Sequence, residues 1–294
     1  MHLQITSLNS GSNGNCYYIG NDQEAILVDA GISCRETERR MARLELSMSK
    51  VKAIFVSHEH SDHIKGIPVL AKKYQLLVYI TPHTLRRARF EEVNFPVETF
   101  HAQVPVTIGN LEIIGFPKLH DAIDPYSFVI SYQGTKVGVF TDIGAPCEQL
   151  IHYFSQCHAA ILEANYDEVM LAEGYYPYHL KRRISGGKGH LSNRQALNLF
   201  TAYKPEHMSH VLLAHLSKNN NCPKLVEDLF TEHATGTKVV VASRYEETKV
   251  FRISSSNDID IEPAIPFEQK PTVKAKARTA KGKTSVADNQ LQLF

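Results

Sequence analysis

The stretch "VSHEHSDHIKG" limits what this chain can fold into more than any other. His58, His60, Asp62 and His63 follow directly on the apolar run "AIFVS". Such a run reads as a buried strand, and a strand end delivers neighbouring side chains into one loop at a sheet edge. Three imidazoles and a carboxylate in that loop offer nitrogen and oxygen ligands at roughly 2.0–2.2 Å to a divalent ion. A polar surface loop has no need of this H-x-H-x-D-H spacing. The fold must therefore bring a strand end out onto a metal-compatible polar edge.

Further candidates repeat the pattern of a ligand at a strand end. His120 sits in "FPKLHDAIDP", just past "LEIIGF"; Asp142 ends "KVGVFTD"; His215 ends "HVLLAH". Each alone reads as a structural residue. Together with the first cluster they complete two metal sites. Short β-branched or aromatic runs recur between Gly, Asn and Asp: "LQITSL", "CYYIG", "AILVDAG", "KAIFVSH", "LLVYIT", "VTIGNLEIIGF", "YSFVISY", "KVGVFTD", "AAILEAN", "HVLLAH" and "KVVVAS". Helical patterns cover Cys34–Leu44, Gly66–Tyr74, Thr84–Glu92, Cys147–Phe154, Asn193–Tyr203 and Pro223–His233, with Ser192 as the N-cap of the fifth. This mixture predicts an α/β fold of two packed sheets with helices outside. No internal repeat is visible in the sequence.

The chain has 294 residues and 43% hydrophobic residues, enough for a real core. Its net charge of +1 decides nothing about an anionic partner. The five cysteines form no C-x-x-C pair, which predicts reduced thiols, mostly buried, in a cytoplasmic protein. No secretory signal and no membrane span are expected. After "KVFRIS" the sequence turns polar and proline-punctuated, and then lysine-rich. Such a segment cannot bury enough apolar surface to offset its ordering entropy. Residues 1–254 are therefore read as one catalytic domain and residues 255–294 as a disordered basic tail.

The ligand pattern resembles the metallo-β-lactamase fold, which implies a four-layer αββα sandwich with a dinuclear site at one edge of the paired sheets. The resemblance implies that His58, His60 and His120 bind one ion, that Asp62, His63 and His215 bind the other, and that Asp142 bridges them. Asp29, in "ILVDAG", matches a position that orients ligands. Two ions held close together lower the pKa of a water and neutralise the oxygens of the group attacked, which is hydrolysis of an ester-like bond. Zinc or manganese suits this donor set, and iron is possible.

Glu163 in "ILEANYDEVML", His190 in "GGKGHLSNRQALNLF" and the following "LAHLSKNNN" resemble the nuclease branch. Carried over, His190 contacts the scissile phosphate and acts as general acid, Glu163 orients it, and Asp62 joins the catalytic set. Without the resemblance, the pair reads as a capping histidine beside a core-edge glutamate. "SGSNGNCYYI", "SHEHSDHIKG", "HDAIDPYSFVI", "TDIGAP", "EANYDEVMLAEGYYPYHLKRRISGGKGHLSN" and "AHLSKNNNCP" together look like the YycJ/WalJ family of metallo-β-lactamase-fold proteins, over about Leu3 to Arg252. That resemblance implies 5′-to-3′ exonuclease activity on double-stranded DNA ends in mismatch repair. Lys181, Arg182, Arg183 and Lys188 could contact phosphates or form an ordinary solvated face. Tyr175, Tyr176 and Tyr178 could pack on a terminal base or cover the core, and core cover is the favoured reading. The competing function is a small-molecule ester, thioester or metabolite phosphodiester hydrolase of the same fold. A non-enzymatic adaptor would lack ligands, and none is missing. The tip "QLQLF", with Gln290, Leu291, Leu293 and Phe294, resembles the peptide by which replication and repair proteins dock on the DNA sliding clamp.

Overall fold

The computed structural model describes residues 2–90 and 93–255. The expected tail and its terminal peptide, Gln290, Leu291, Leu293 and Phe294 included, lie outside the described residues. The first sheet takes β1 (Leu3–Asn9), β2 (Cys16–Gly20), β3 (Ala25–Val28), β4 (Val51–Phe55), β5 (Leu77–Tyr79) and β6 (Val97–Glu98) side by side in chain order. The second takes β7 (Val106–Ile108), β8 (Leu111–Pro117), β9 (Tyr126–Tyr132), β10 (Thr135–Phe140), β11 (Ala159–Glu163), β12 (His210–Ala214) and β13 (Lys238–Val241), also in chain order. β14 (Phe251–Ile253) returns to the first sheet and pairs antiparallel with β1.

Three apolar clusters define four layers. One joins the inward faces of both sheets, through Ile5, Tyr17, Ile26 and Phe55 on one side and Ile113, Phe128, Val139 and Ile161 on the other. The second packs helices Cys34–Arg43 and Ile67–Tyr74 on the outer face of the first sheet. The third packs helices Glu148–Phe154, Asn193–Tyr203 and Pro223–Thr231 on the outer face of the second. This is the αββα sandwich that the resemblance implied. Strands β3, β4, β10, β11 and β12 are flanked by apolar groups on both faces. They therefore read as near-continuous hydrophobic runs rather than alternating ones.

Each sheet changes character part-way across. β1, β2 and β3 are antiparallel neighbours, and β3, β4, β5 and β6 are parallel. In the second sheet β7 to β10 are antiparallel, and β10 to β13 are parallel. The two halves thus share one strand order although the sequence shows no repeat. Parallel register aligns strand ends: Val28 faces Phe55, Phe140 faces Leu162, and Glu163 faces Ala214. The residues that follow these strands emerge along one edge. Cross-sheet bonds knit that edge together, with Tyr126 N donating to Ser57 O (2.9 Å) and His215 N to Ser10 Oγ (2.7 Å).

Several sequence expectations are adjusted. "VTIGNLEIIGF" is a hairpin, not one strand, and Gly109 supplies the left-handed turn at φ 59°. The helix expected over Thr84–Glu92 is Pro82–Ala88, because Thr81 caps it and Pro82 starts it. Ser192 caps Asn193–Tyr203 in a reciprocal capping box with Gln195. Cys16, Cys34 and Cys157 are buried as expected, but Cys222 is exposed at the start of the last helix. Among the described residues no helix is long and apolar enough to cross a membrane.

Candidate metal centre

The loop after β4 carries His58 and His60, and the single-turn helix Ser61–Ile64 carries Asp62 and His63. Gly31 makes this close turn possible. A Cβ there would collide with the backbone carbonyl of Asp62, whereas Asn15 N donates to that carbonyl at 2.7 Å. His120 lies just past β8, Asp142 just past β10, Glu163 at the end of β11, and His215 just past β12. Asp29, Asp142 and His215 all have φ between 54° and 61°. Non-glycine residues rarely adopt that left-handed region, and it costs of order 1 kcal/mol or more per residue. Here it turns each side chain from its strand end into the shared edge.

Ligand atoms of His58, His60 and His120 all lie within 4.8 Å of one another, and those of Asp62, His63 and His215 do the same. Asp142 stands between the two groups. Its Oδ2 is 3.1 Å from His63 Nε2, and its Oδ1 is 3.6 Å from His215 Nε2 and 3.8 Å from His120 Nε2. His58 Nε2 and His60 Nδ1 are 3.0 Å apart, and Asp62 Oδ2 is 3.5 Å from His215 Nε2. These separations resemble the roughly 3.3 Å edge of a tetrahedron with ligands ~2.0–2.1 Å from a central ion. Hydrogen bonds do not satisfy the whole set: His58 and His60 meet each other, but His120 Nε2, His215 Nε2 and Asp142 Oδ2 are buried without any hydrogen-bond partner. Three orphaned, inward-facing donors in one space would each be costly unless a cation met them. The set fits divalent metal.

The outer bonds fix which nitrogen faces inward. His63 Nδ1 donates to Asp29 Oδ2 at 2.7 Å, and His120 Nδ1 donates to Gly189 O at 3.0 Å. His58 Nδ1 donates to Ser57 Oγ at 2.9 Å, while the Ser57 hydroxyl donates to Asp29 Oδ2 at 2.8 Å. Ser57 N also donates to Asp29 Oδ1 at 2.8 Å. One buried carboxylate, Asp29, therefore orients a histidine in each ligand group, and each of these imidazoles turns Nε2 inward. Asn15 Nδ2 adds bonds at 3.2 Å to Asp62 Oδ2 and 3.0 Å to His63 Nε2, and Asn165 Nδ2 lies 3.0 Å from His215 Nδ1. Sequence reasoning did not single out Ser57, Asn15 or Asn165. Each sits inside a quoted motif, but amides and hydroxyls carry no ligand signal of their own.

Glu163 lies fully buried behind the cluster. Its Oε1 is 2.7 Å from His190 Nδ1 and 3.4 Å from His215 Nδ1, and its Oε2 accepts from Ile143 N (2.6 Å) and Leu191 N (3.2 Å). His190 and Arg183 line a cavity of about 380 Å³ together with His60, Asp62, Asp142 and His215. Arg183 Nε meets Asp121 Oδ2 at 2.5 Å. The rest of the expected basic cluster does not reach the cavity. Lys181 Nζ donates to Ala172 O, Arg182 lies over the Tyr178 ring, and Lys188 points to solvent. Nor are the tyrosines core cover. Tyr175 is fully exposed and Tyr178 is 74% exposed, because the helix Tyr178–Ser185 buries no residue.

Residues 24–215 match the family described as a β-lactamase superfamily domain. Exodeoxyribonuclease YycJ of Bacillus anthracis is 34% identical over 270 residues, covering 90% of this chain and 98% of that protein. Exodeoxyribonuclease WalJ of Streptococcus pneumoniae serotype 2 (strain D39) is 30% identical over 228 residues, covering 76% of this chain and 85% of that protein. Among solved structures, the metallo-β-lactamase fold protein YhfI from Bacillus subtilis superposes with a TM-score of 0.67 at 17% identity, covering 86% of this chain and all of that one.

Protonation differs sharply across the centre. Burial pushes His58 well below the ordinary histidine range, with His63 and Lys118 adding to the effect. Burial likewise lowers His120 to about 4. At His63 and His215 burial acts in the same direction but is outweighed. Asp142, Asp29 and Asp62 raise His63 well above its usual value, and Asp142, Asp62 and Glu163 raise His215 to about 10. Without metal these two imidazoles are cationic at neutral pH, while His58 and His120 are neutral. A metal ligand must be neutral, so metal uptake must expel the extra protons. Calorimetric titration with Zn²⁺ or Mn²⁺ at pH 7.5, in buffers of different ionisation enthalpy, should show release of about two protons from this pair. The His215 share should vanish as pH rises through about 10. Uptake without proton release at pH 7.5 would contradict the assignment.

Proposed function

The chain belongs to the β-lactamase superfamily, in the YycJ/WalJ-type family of metallo-β-lactamase-fold proteins, and from that membership we propose that it is a two-metal exonuclease that digests double-stranded DNA from 5′ ends in DNA repair. It is a metal-dependent hydrolase. The observation that carries the nuclease reading is the Glu163–His190 pair, set beside the donor cluster and opening on the same cavity as Arg183. A hydrolase of small carbonyl substrates has no need of a separate cation and a separate imidazole aimed at one anion. A phosphodiester, in a nucleic acid or a metabolite, offers a target for each, its anionic oxygen and its leaving oxygen.

His58, His60 and His120 would hold one ion, Asp62, His63 and His215 the other, and Asp142, facing both groups, would be shared. Zinc or manganese suits these nitrogen and oxygen donors, with iron compatible. Such ions supply Lewis-acid polarisation of the phosphate and activation of water. The chain's own residues do the rest. Glu163 accepts a hydrogen bond from His190 Nδ1, which leaves Nε2 toward the cavity, where a protonated Nε2 can donate to the leaving oxygen while Glu163 remains an anion. Glu163 is suited to this. Burial alone would raise its pKa, but His190 and two donated hydrogen bonds from imidazoles hold it down at about 2, so it stays an anion. Arg183 would exchange Asp121 for a phosphate oxygen, a charge-assisted contact that fixes register without reading sequence. Asp29 and Ser57 hold the ligand rings in place.

The C-terminal peptide supports a DNA role from an independent part of the sequence. Leu291, Leu293 and Phe294 would fill a groove on the DNA sliding clamp, and the preceding lysine-rich segment would tether the catalytic domain near its substrate in the cytoplasm.

Protein loaded with Mn²⁺ or Zn²⁺ should digest 5′-phosphorylated linear duplex DNA, with product appearing first from the 5′-labelled end. Cleavage of a thioester with the duplex left intact would support the small-molecule hydrolase instead. His190→Ala should lower turnover by roughly 10²–10⁴, the range for loss of a general acid, with metal content unchanged. Loss of metal in that variant would make His190 a ligand. Deletion of residues 291–294 should abolish co-migration with the clamp on gel filtration and leave activity on short DNA intact. Persistence of co-migration would sink the docking idea.

A further inference from the structure

The segment between the Asp167-capped helix Glu168–Glu173 and the helix Tyr178–Ser185 is an anomaly of packing. The second helix buries no residue, so the core does not explain it. Its apolar residues Leu180 and Ile184, one turn apart, line the metal-side cavity instead. The helix is a wall of the site rather than a layer of the fold. Just ahead of it and on its first turn stand three tyrosines. Tyr176 lines the cavity, and its hydroxyl accepts from Asn219 Nδ2 at 3.1 Å. Tyr175 is fully exposed and Tyr178 is 74% exposed, with the Arg182 guanidinium 5.9 Å from the Tyr178 ring centre. Leaving two large rings in water forfeits the burial that aromatic side chains ordinarily gain. Pro177 starts the helix, and its carbonyl accepts from Leu180 N and Lys181 N.

We propose that Tyr175 and Tyr178 form a stacking platform for unpaired nucleobases of the strand being degraded, outside the cavity in which its phosphate is cut. The proposal rests on the nuclease reading and names the part of the substrate that this wall recognises. An exposed ring beside a cationic group, as Tyr178 is beside Arg182, suits a base with its phosphate. Base–aromatic stacking is indifferent to sequence, as a degradative enzyme requires. Arg182 over the Tyr178 ring lends cationic character to one face of the platform and can reach a neighbouring phosphate. A duplex end could then be fed in only after its last bases separate, with stacking on tyrosine replacing part of the stacking lost in the helix.

The chain contains no Trp, so a single tryptophan introduced here reports on the platform alone. Metal-loaded Tyr175→Trp and Tyr178→Trp would be titrated with a 5′-phosphorylated, phosphorothioate-linked oligothymidylate. Emission should be quenched on binding. An abasic oligonucleotide of the same length should bind more weakly and quench far less. Tyr175→Ala with Tyr178→Ala should raise Kd for the oligothymidylate by about 10-fold or more, and Phe at both positions should restore it. Metal content, and turnover of an abasic oligonucleotide that carries no aromatic ring, should be unchanged in all variants. Unquenched tryptophan at saturation, or equal binding of abasic and base-bearing strands, overturns the platform. Equal affinity of wild type and double-alanine variant for DNA, with the variant losing only a protein partner, overturns it in favour of a protein-docking face. Failure of the wild type to cleave any phosphodiester would instead overturn the nuclease reading itself.

Discussion

The structure depends on one electrostatic requirement. Asp29, Asp142 and Glu163 are buried at the meeting edge of the two sheets, with Asp62 at their border. An isolated buried carboxylate costs several kcal/mol even after relaxation. Four in one space are tolerable only beside positive charge. The protein's own cations meet part of the need: Lys118, fully buried, donates from Nζ to Thr141 O at 2.7 Å, and His63 and His215 are held protonated. Divalent ions would take over from the two imidazolium protons and satisfy the orphaned nitrogens at the same time. The centre is therefore built to be stable when filled and frustrated when empty, as expected for a site organised around metal rather than around hydrogen bonds.

The shared strand order of the two halves explains how so many ligands reach one place. In each half, the antiparallel strands give way to parallel ones at a strand that ends in Asp-x-Gly: Asp29-Ala30-Gly31 after β3 and Asp142-Ile143-Gly144 after β10. Both aspartates take the left-handed conformation, and both glycines pack where a Cβ would meet backbone, at Asp62 for one and at Gly187 and Lys188 for the other. The same local device is used twice with different results. Asp29 turns back beneath the first histidine loop and holds Ser57 and His63. Asp142 turns into the space between the ligand groups and keeps one oxygen free of hydrogen bonds. One carboxylate bonds to the candidate ligands and its counterpart stands among them.

The sequence exposed the ligands because strand ends are the only places where a hydrophobic run can hand a polar side chain to an edge. His58 through His63, His120, Asp142 and His215 all follow apolar runs, and the structure brings them together. The layers were also legible, since the long strands read as apolar runs and the helices between them kept their period. Elements of two or three residues, β6 and β14, were not legible, because they are too short to show any period. The helices Glu168–Glu173 and Tyr178–Ser185 escaped for a different reason. Periodicity reports burial against a core, and the second helix buries nothing. The same absence misled the reading of Tyr175 and Tyr178: aromatic residues are core residues on average, and only a structure shows that no core lies behind these.

The contrast between the two sides of the cavity has a mechanical meaning. On the metal side every ligand is fixed by a sheet edge, by a buried carboxylate or by a backbone carbonyl. A displacement there would break several bonds at once. On the opposite side the wall is the short helix Tyr178–Ser185, tied near its end by His190 N donating to Ile184 O and otherwise by surface contacts, the Arg183–Asp121 pair, the Tyr176–Asn219 bond and the Lys181–Ala172 bond. Exposed contacts of this kind contribute little each and open readily. A rigid reacting edge facing a weakly anchored wall lets a polymer enter and advance without disturbing the ligands. It also lets residues of the wall change with little cost to the fold. On the proposed reading chemistry and substrate binding are carried by different elements, and changes in Tyr175, Tyr178 or Arg182 would alter what is held and leave the donor cluster as it is.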